Sequence, residues 1–158
     1  MPRAATTFTF VALILFGCLP VYADVTPFTV WDGDARGELP VWAQYWVNFM
    51  FFMTATGLLF VKNHVEARWA VGAFVASHLA SGAEMLLCGA DKFVVGMIAI
   101  NHCIFWTPAA VYLARSLKRN ELATPFGVWL VGMMGVFVFS LIFDYRDAFI
   151  YVRSFVDG

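Results

Sequence analysis

Four apolar stretches, separated by short polar ones, account for most of the chain after residue 40. They cover residues 41–61, 69–88, 93–114 and 126–143, and each is close to the ~20 residues that a helix needs to cross a membrane. Because the connections are short, successive helices are expected to be antiparallel neighbours. The pattern predicts an all-α membrane protein with a four-transmembrane-helix up-and-down bundle.

A further apolar stretch lies at the N-terminus. It runs from Phe8 to Leu19 after Arg3 and is followed by Pro20-Val21-Tyr22-Ala23, a sequence that suits signal-peptidase cleavage after Ala23. The stretch is shorter than a membrane span, and Pro20 interrupts its extension to Val21. Residues 1–23 are therefore predicted to be a signal peptide, with an uncleaved fifth helix as the alternative. Residues 24–143 then form the transmembrane domain, which includes a short outer N-terminal segment.

The last residues, 144–158, mix charged and apolar side chains. Tyr145, Phe149, Val152 and Val156 are spaced as one face of a helix. This spacing predicts an amphipathic segment on the outer membrane surface. A docked or frayed chain end is the alternative.

Composition agrees with a membrane protein. Hydrophobic residues make up 61% and charged residues 13% of the 158 residues, whereas soluble domains are nearer ~45–50% and ~25%. The net charge of −1 gives no electrostatic reason to expect nucleic-acid binding. A signal peptide directs residue 24 outward, and Lys and Arg are slightly more frequent in the first and third connections than in the outer segments. The predicted location is a bacterial inner membrane, multi-pass, with the mature N- and C-termini on the periplasmic side.

Two histidines fall near the middle of neighbouring spans. His78 and His102 lie equally far from the turn at about residue 90, so antiparallel helices would place them at one depth. Two imidazoles on facing helices are the axial ligands that haem b requires in a helical bundle. The alternative is a pair of neutral core histidines that form hydrogen bonds with neighbouring helices.

Other polar residues also lie within the predicted spans. Ionisable groups in the hydrocarbon region cost several kcal/mol unless they are paired or hydrated, which makes Glu84 a candidate for binding. Asn48 is predicted at nearly the same depth as Glu84, and Asn101 directly precedes His102. Glu84 and Asn48 together could bind a proton, a cation or the head group of a quinone. Alternatively, Glu84 is protonated or pairs with Lys92 at the surface.

The sequence contains no recognisable catalytic or metal-binding motif, with no nucleophile–base spacing, no glycine-rich phosphate loop and no HExxH. The predicted function is a non-enzymatic accessory or structural subunit that packs against a membrane-protein partner or a second copy of itself. One alternative is a haem-b electron-transfer subunit that uses His78 and His102 and interacts with quinone. Another is a small proton-coupled carrier that depends on Glu84.

Overall fold

The computed structural model describes residues 26–30, 37, 39–87 and 94–157. This part of the chain is helical, with four helices: α1 (Val41–Gly57), α2 (Val65–Leu87), α3 (Val95–Ser116) and α4 (Pro125–Val156). The all-α prediction is confirmed for these residues. The predicted signal peptide, residues 1–23, lies outside them.

Two of the four helices, α3 and α4, are long and apolar enough to cross a membrane. α1 has 17 residues, slightly fewer than a span needs. α2 has 23 residues but contains the polar side chains of His78, Ser81 and Glu84. The two apolar helices suggest a membrane protein, whereas four spans and their orientation remain predictions.

The last helix is longer than the sequence pattern predicts. α4 begins after Thr124, whose Oγ1 accepts a hydrogen bond from Gly127 N at 3.0 Å, and it runs without a break to Val156. At ~1.5 Å per residue its 32 residues extend over roughly 48 Å, more than the ~30 Å hydrocarbon core. Residues 144–156 therefore continue the fourth helix. Their predicted apolar face is exposed, at Tyr145, Phe149, Val152 and Val156.

α3 lies at the centre of the bundle. It packs against α2 on one side and α4 on the other, whereas α1 contacts α2 and α4 over shorter stretches. Trp106 and Leu113 of α3 are fully buried, in one core cluster with Leu130, Met133 and Phe137 of α4. The core therefore lies around α3, and α1 forms an outer wall.

α1 meets α4 where glycines allow close approach. A Cβ atom at Gly57 would lie 2.7 Å from a ring carbon of Trp129, and one at Gly132 would lie 2.7 Å from Met53 Cε. Between these positions Trp129 Nε1 donates a hydrogen bond to Met53 O at 2.9 Å. The contact fixes the C-terminal half of α1 against α4.

The segment before α1 closes the beginning of α3. Val95 N donates a hydrogen bond to Thr29 O at 3.0 Å, and Gly96 N donates to Pro27 O at 2.8 Å. These bonds satisfy backbone N–H groups that a helix N-terminus leaves without partners. The ring of Phe28 lies 5.7 Å from that of Tyr151 on α4. Residues 26–30 therefore join α3 and α4 at one end of the bundle.

Candidate functional site

His78 on α2 and His102 on α3 lie side by side. Their ring centroids are 5.7 Å apart, as the sequence predicts for antiparallel neighbouring helices. His78 Nδ1 donates a hydrogen bond to Phe74 O at 2.8 Å. The His102 ring stacks on Trp106, with centroids 3.7 Å apart and an angle of 15°. The two imidazoles thus belong to one aromatic cluster between α2 and α3.

Hydrogen bonds join α2 and α3 on both sides of the histidine pair. Trp106 Nε1 donates to Ser77 Oγ at 2.9 Å, and Asn101 Nδ2 donates to Ser81 Oγ at 2.9 Å. Such bonds require the two helices to be in direct contact here. A porphyrin between the imidazoles would require both bonds to break.

Haem ligation by His78 and His102 remains a prediction, and a reduced-minus-oxidised absorption spectrum tests it. Because the two helices are joined around the pair, we expect no sharp α band from protein expressed with haem available. A b-type haem protein expressed in the same cells controls for haem supply. A band that is lost in both His78→Ala and His102→Ala would contradict our expectation and support axial ligation.

His102 is also bonded to a carboxylate from α4. Its Nδ1 lies 3.1 Å from Asp144 Oδ2, and the side chains of His102 and Asp144 are 10% and 17% exposed. On the other side of the ring, Nε2 of His102 is buried and has no hydrogen-bond partner within the described residues. Most buried polar atoms in proteins are paired. The unpaired Nε2 therefore marks His102 as a binding candidate.

Asp144 is the site residue that the sequence pattern missed. The fourth span was expected to end at residue 143, which places Asp144 in a surface segment. Helical spacing nevertheless contains the relevant signal, because Phe137, Leu141 and Asp144 lie four and three residues apart and so share one face. Phe137 and Leu141 are both buried. Extending this face of the helix by one turn beyond Leu141 would have predicted that Asp144 lies inside the bundle.

The His102–Asp144 pair can both accept and donate a hydrogen bond. When the carboxylate is ionised, Nδ1 carries the shared hydrogen and Nε2 has a free lone pair. When the pair takes up one proton, the imidazole becomes a cation and Nε2 becomes a donor. The pair can therefore contact a hydroxyl in one state and a carbonyl oxygen in the other.

His102 lines a cavity of about 300 Å³ between α1 and the other three helices. This volume lies at the lower end of the ~300–1,000 Å³ range of small-molecule sites. The walls are largely aromatic, with six rings from Trp42, Trp46, Phe51, Trp106, Phe139 and Phe143. Charged groups occur at one end, where Asp144, Arg146 and Asp147 line the cavity.

Exposed side chains of α1 and α2 line part of the cavity. Phe51 on α1 and His78 on α2 both line it, and both are exposed. Their ring centroids are 6.0 Å apart.

The other predicted polar residues lie apart from the cavity. Asn101 Nδ2 donates to Glu84 Oε2 at 3.0 Å, so the structure brings these two side chains together between α2 and α3. Asn48 lies on the exposed side of α1, and Lys92, the alternative partner of Glu84, lies outside the described residues. Within residues 26–30, 37, 39–87 and 94–157, no group of three or more His, Cys, Asp or Glu side chains could hold a metal ion.

Comparisons with known proteins assign no family to this arrangement. No protein-family model matches the chain, no curated protein matches it, and no solved structure matches its fold. The cavity and the residues that line it are therefore the features from which a function can be inferred.

Proposed function

We propose that this protein binds a small, lipid-soluble, ring-containing molecule in the cavity between α1 and the other helices. The observation that carries the proposal is the buried, unpaired Nε2 of His102, a residue that lines this largely aromatic cavity. Leaving such an atom unpaired costs about 1–3 kcal/mol. A hydroxyl or carbonyl group on the ligand would pair with it and recover that free energy.

The walls favour an apolar ring as the body of the ligand. Aromatic side chains bind other rings through offset or edge-to-face contacts. Trp46 and Phe139 already form such a contact, with centroids 4.4 Å apart. The indole N–H of Trp46 is bonded to Ser140 Oγ at 3.2 Å, so the ring itself remains for apolar contact. A single polar group on the ligand would suffice to orient it toward His102.

The approach to the cavity favours a lipid-soluble molecule. α3 and α4 are apolar enough to cross a membrane, and the exposed Phe51 ring is part of the cavity lining. An opening beside this ring would admit molecules from the hydrocarbon region of a bilayer. Quinones, quinols and other substituted ring compounds have the required combination of an apolar body and an oxygen head group.

Quenching of tryptophan fluorescence by decylubiquinone tests this proposal, because Trp42, Trp46 and Trp106 all line the cavity. We expect saturable quenching in detergent-solubilised protein. Ala43→Phe places a ring in the cavity and should weaken binding at least tenfold, which is about 1.4 kcal/mol. Ala55→Phe makes the same change on the exposed side of α1 and serves as the matched control. Equal, non-saturable quenching of wild type and both variants would overturn the proposal.

The accessory-subunit function expected from the sequence remains a separate hypothesis. The exposed apolar face of residues 144–156 is the feature that favours it. Purification in mild detergent distinguishes the two functions. A stable, isolated monomer counts against an obligate subunit, and ligand binding by that monomer supports the cavity.

A further inference from the structure

We infer that the ligand carries an acidic hydroxyl on an aromatic ring, as a phenol or quinol does, and that His102 accepts the proton of this hydroxyl. The inference rests on the proposed function, because it concerns the same cavity. It adds the chemical class of the ligand and a proton-accepting role for one named atom, Nε2 of His102. Asp144 acts as a positioning residue for that atom.

The contact between His102 Nδ1 and Asp144 bears on which nitrogen accepts the proton, because an ionised carboxylate can only accept a hydrogen bond. With the carboxylate ionised and 3.1 Å from Nδ1, the neutral imidazole carries its hydrogen on Nδ1. Nε2 then carries the lone pair, and it is buried without a partner within the described residues on a residue that lines the cavity. A histidine whose second nitrogen is oriented by a carboxylate is the usual arrangement for a general base, since the carboxylate also stabilises the imidazolium that forms.

The ionisable side chains that line the cavity come from three of the four helices. The lining residues of α1 include no ionisable side chain; α2 contributes His78, α3 contributes His102, and α4 contributes Asp144, Arg146 and Asp147. Arg146 Nε lies 3.9 Å from Asp147 Oδ1, so Asp147 faces Arg146. Asp144 is the carboxyl group that lies against His102, 3.1 Å from Nδ1.

Transfer of the proton requires no oxidant. The O–H bond of the ligand breaks, its electron pair stays on the oxygen, and an N–H bond forms at Nε2. The products are an aromatic oxyanion and an imidazolium that is paired with Asp144. The new N–H group can donate to the oxyanion, and hydrogen bonds between charged groups are roughly twice as strong as neutral ones.

Acidity restricts this proton transfer to hydroxyl groups on aromatic rings, and the aromatic walls of the cavity suit such rings. An aliphatic alcohol has too little acidity to lose a proton to an imidazole, whereas a phenolic oxyanion is stabilised by its own ring. The rings of Trp46 and Phe139 form the side of the cavity at α1 and α4, and Trp106 stacks behind His102. A flat ring between these walls would direct its oxygen toward Nε2.

Titration with 4-nitrophenol tests the inference, because its phenolate absorbs at a longer wavelength than the phenol. The full-length protein is mixed with the probe at a pH about one unit below the pKa of the free probe. We expect the bound probe to absorb as phenolate, which corresponds to at least a tenfold gain in acidity. Asp144→Asn and His102→Gln should each return the bound probe to the phenol form. His64→Gln, at a histidine that stacks on Phe126 outside the cavity lining, should keep the phenolate signal.

Two readouts separate the inference from the proposed function. Binding is followed by tryptophan quenching, and protonation by the absorption of the probe. Saturable quenching with a phenol spectrum in wild-type protein would overturn the inference and leave the proposed function standing. A phenolate spectrum that persists in both Asp144→Asn and His102→Gln would overturn it as well. If neither nitrophenol nor decylubiquinone gave saturable quenching, the proposed function itself would be overturned. Helical circular dichroism checks that each variant is folded, and a phenol spectrum of the bound probe in wild-type protein overturns the inference even where a variant is not.

Discussion

Asp144→Ala should lower the free energy of unfolding by about 1–3 kcal/mol, because it leaves His102 Nδ1 buried without an acceptor. The side chain of Asp144 is 17% exposed, and that of His102 is 10% exposed. Water can therefore reach the freed nitrogen only in part. Thermal or denaturant unfolding in detergent, followed by circular dichroism, measures the change.

A double-mutant cycle separates this bond from general packing. His102→Leu alone leaves the carboxylate without its partner, so it is expected to cost a similar amount. The double variant Asp144→Ala, His102→Leu should cost less than the sum of the single changes, since neither partner then remains unpaired. Asp157→Ala serves as a control, because Asp157 pairs with Arg153 at an exposed site and surface pairs contribute little. Strictly additive losses would show that the two residues do not stabilise each other.

Trp106→Ala should cost still more, about 3–5 kcal/mol, because it removes a large, fully buried ring from the core. Trp106 is 0% exposed, stacks on His102 and packs 5.2 Å from the ring of Phe137. The same truncation enlarges the cavity and removes the support behind the imidazole. Weaker ligand binding should therefore accompany the loss of stability.

A conservative variant and an exposed control separate the hydrogen bond of Trp106 from its packing in the core. Trp106→Phe keeps most of the ring and removes the hydrogen bond to Ser77, whose hydroxyl still donates to Phe74 O at 2.9 Å. It should cost about 1 kcal/mol. Trp69→Ala truncates an exposed tryptophan on α2 and should cost little. If Trp106→Ala were as mild as Trp69→Ala, the core described around α3 would be wrong.

Counting along the sequence predicts the histidine pair but not its carboxylate. His78 and His102 are equidistant from the predicted turn at about residue 90, so antiparallel helices bring them close together. Asp144 belongs to a third helix, and its contact with His102 depends on the rotation of α4 about its own axis. Hydropathy alone ends the fourth span at the first charged residue, so it assigns Asp144 to the surface.

The cavity depends on how extensively α1 packs against the other helices, which the sequence pattern does not predict. It lies beside α1, which packs less extensively than the other helices and is held against α4 by local contacts such as Trp129 against Gly57. Equal depth along two spans also does not predict which residues of the two helices are in contact. Asn48 was matched to Glu84 by depth, yet it lies on the exposed side of α1, while Glu84 bonds with Asn101 between α2 and α3.

The first and the last helix both contribute walls to the cavity, which has a consequence for the order of events during synthesis. Trp46 meets Ser140 across 94 positions of the chain. At ~5–20 residues per second, α1 waits for seconds before its partner on α4 is made. The early helices can associate during that time, but the binding site cannot form. A chain that stops before residue 139 would keep α1, α2 and α3 and still lack the cavity.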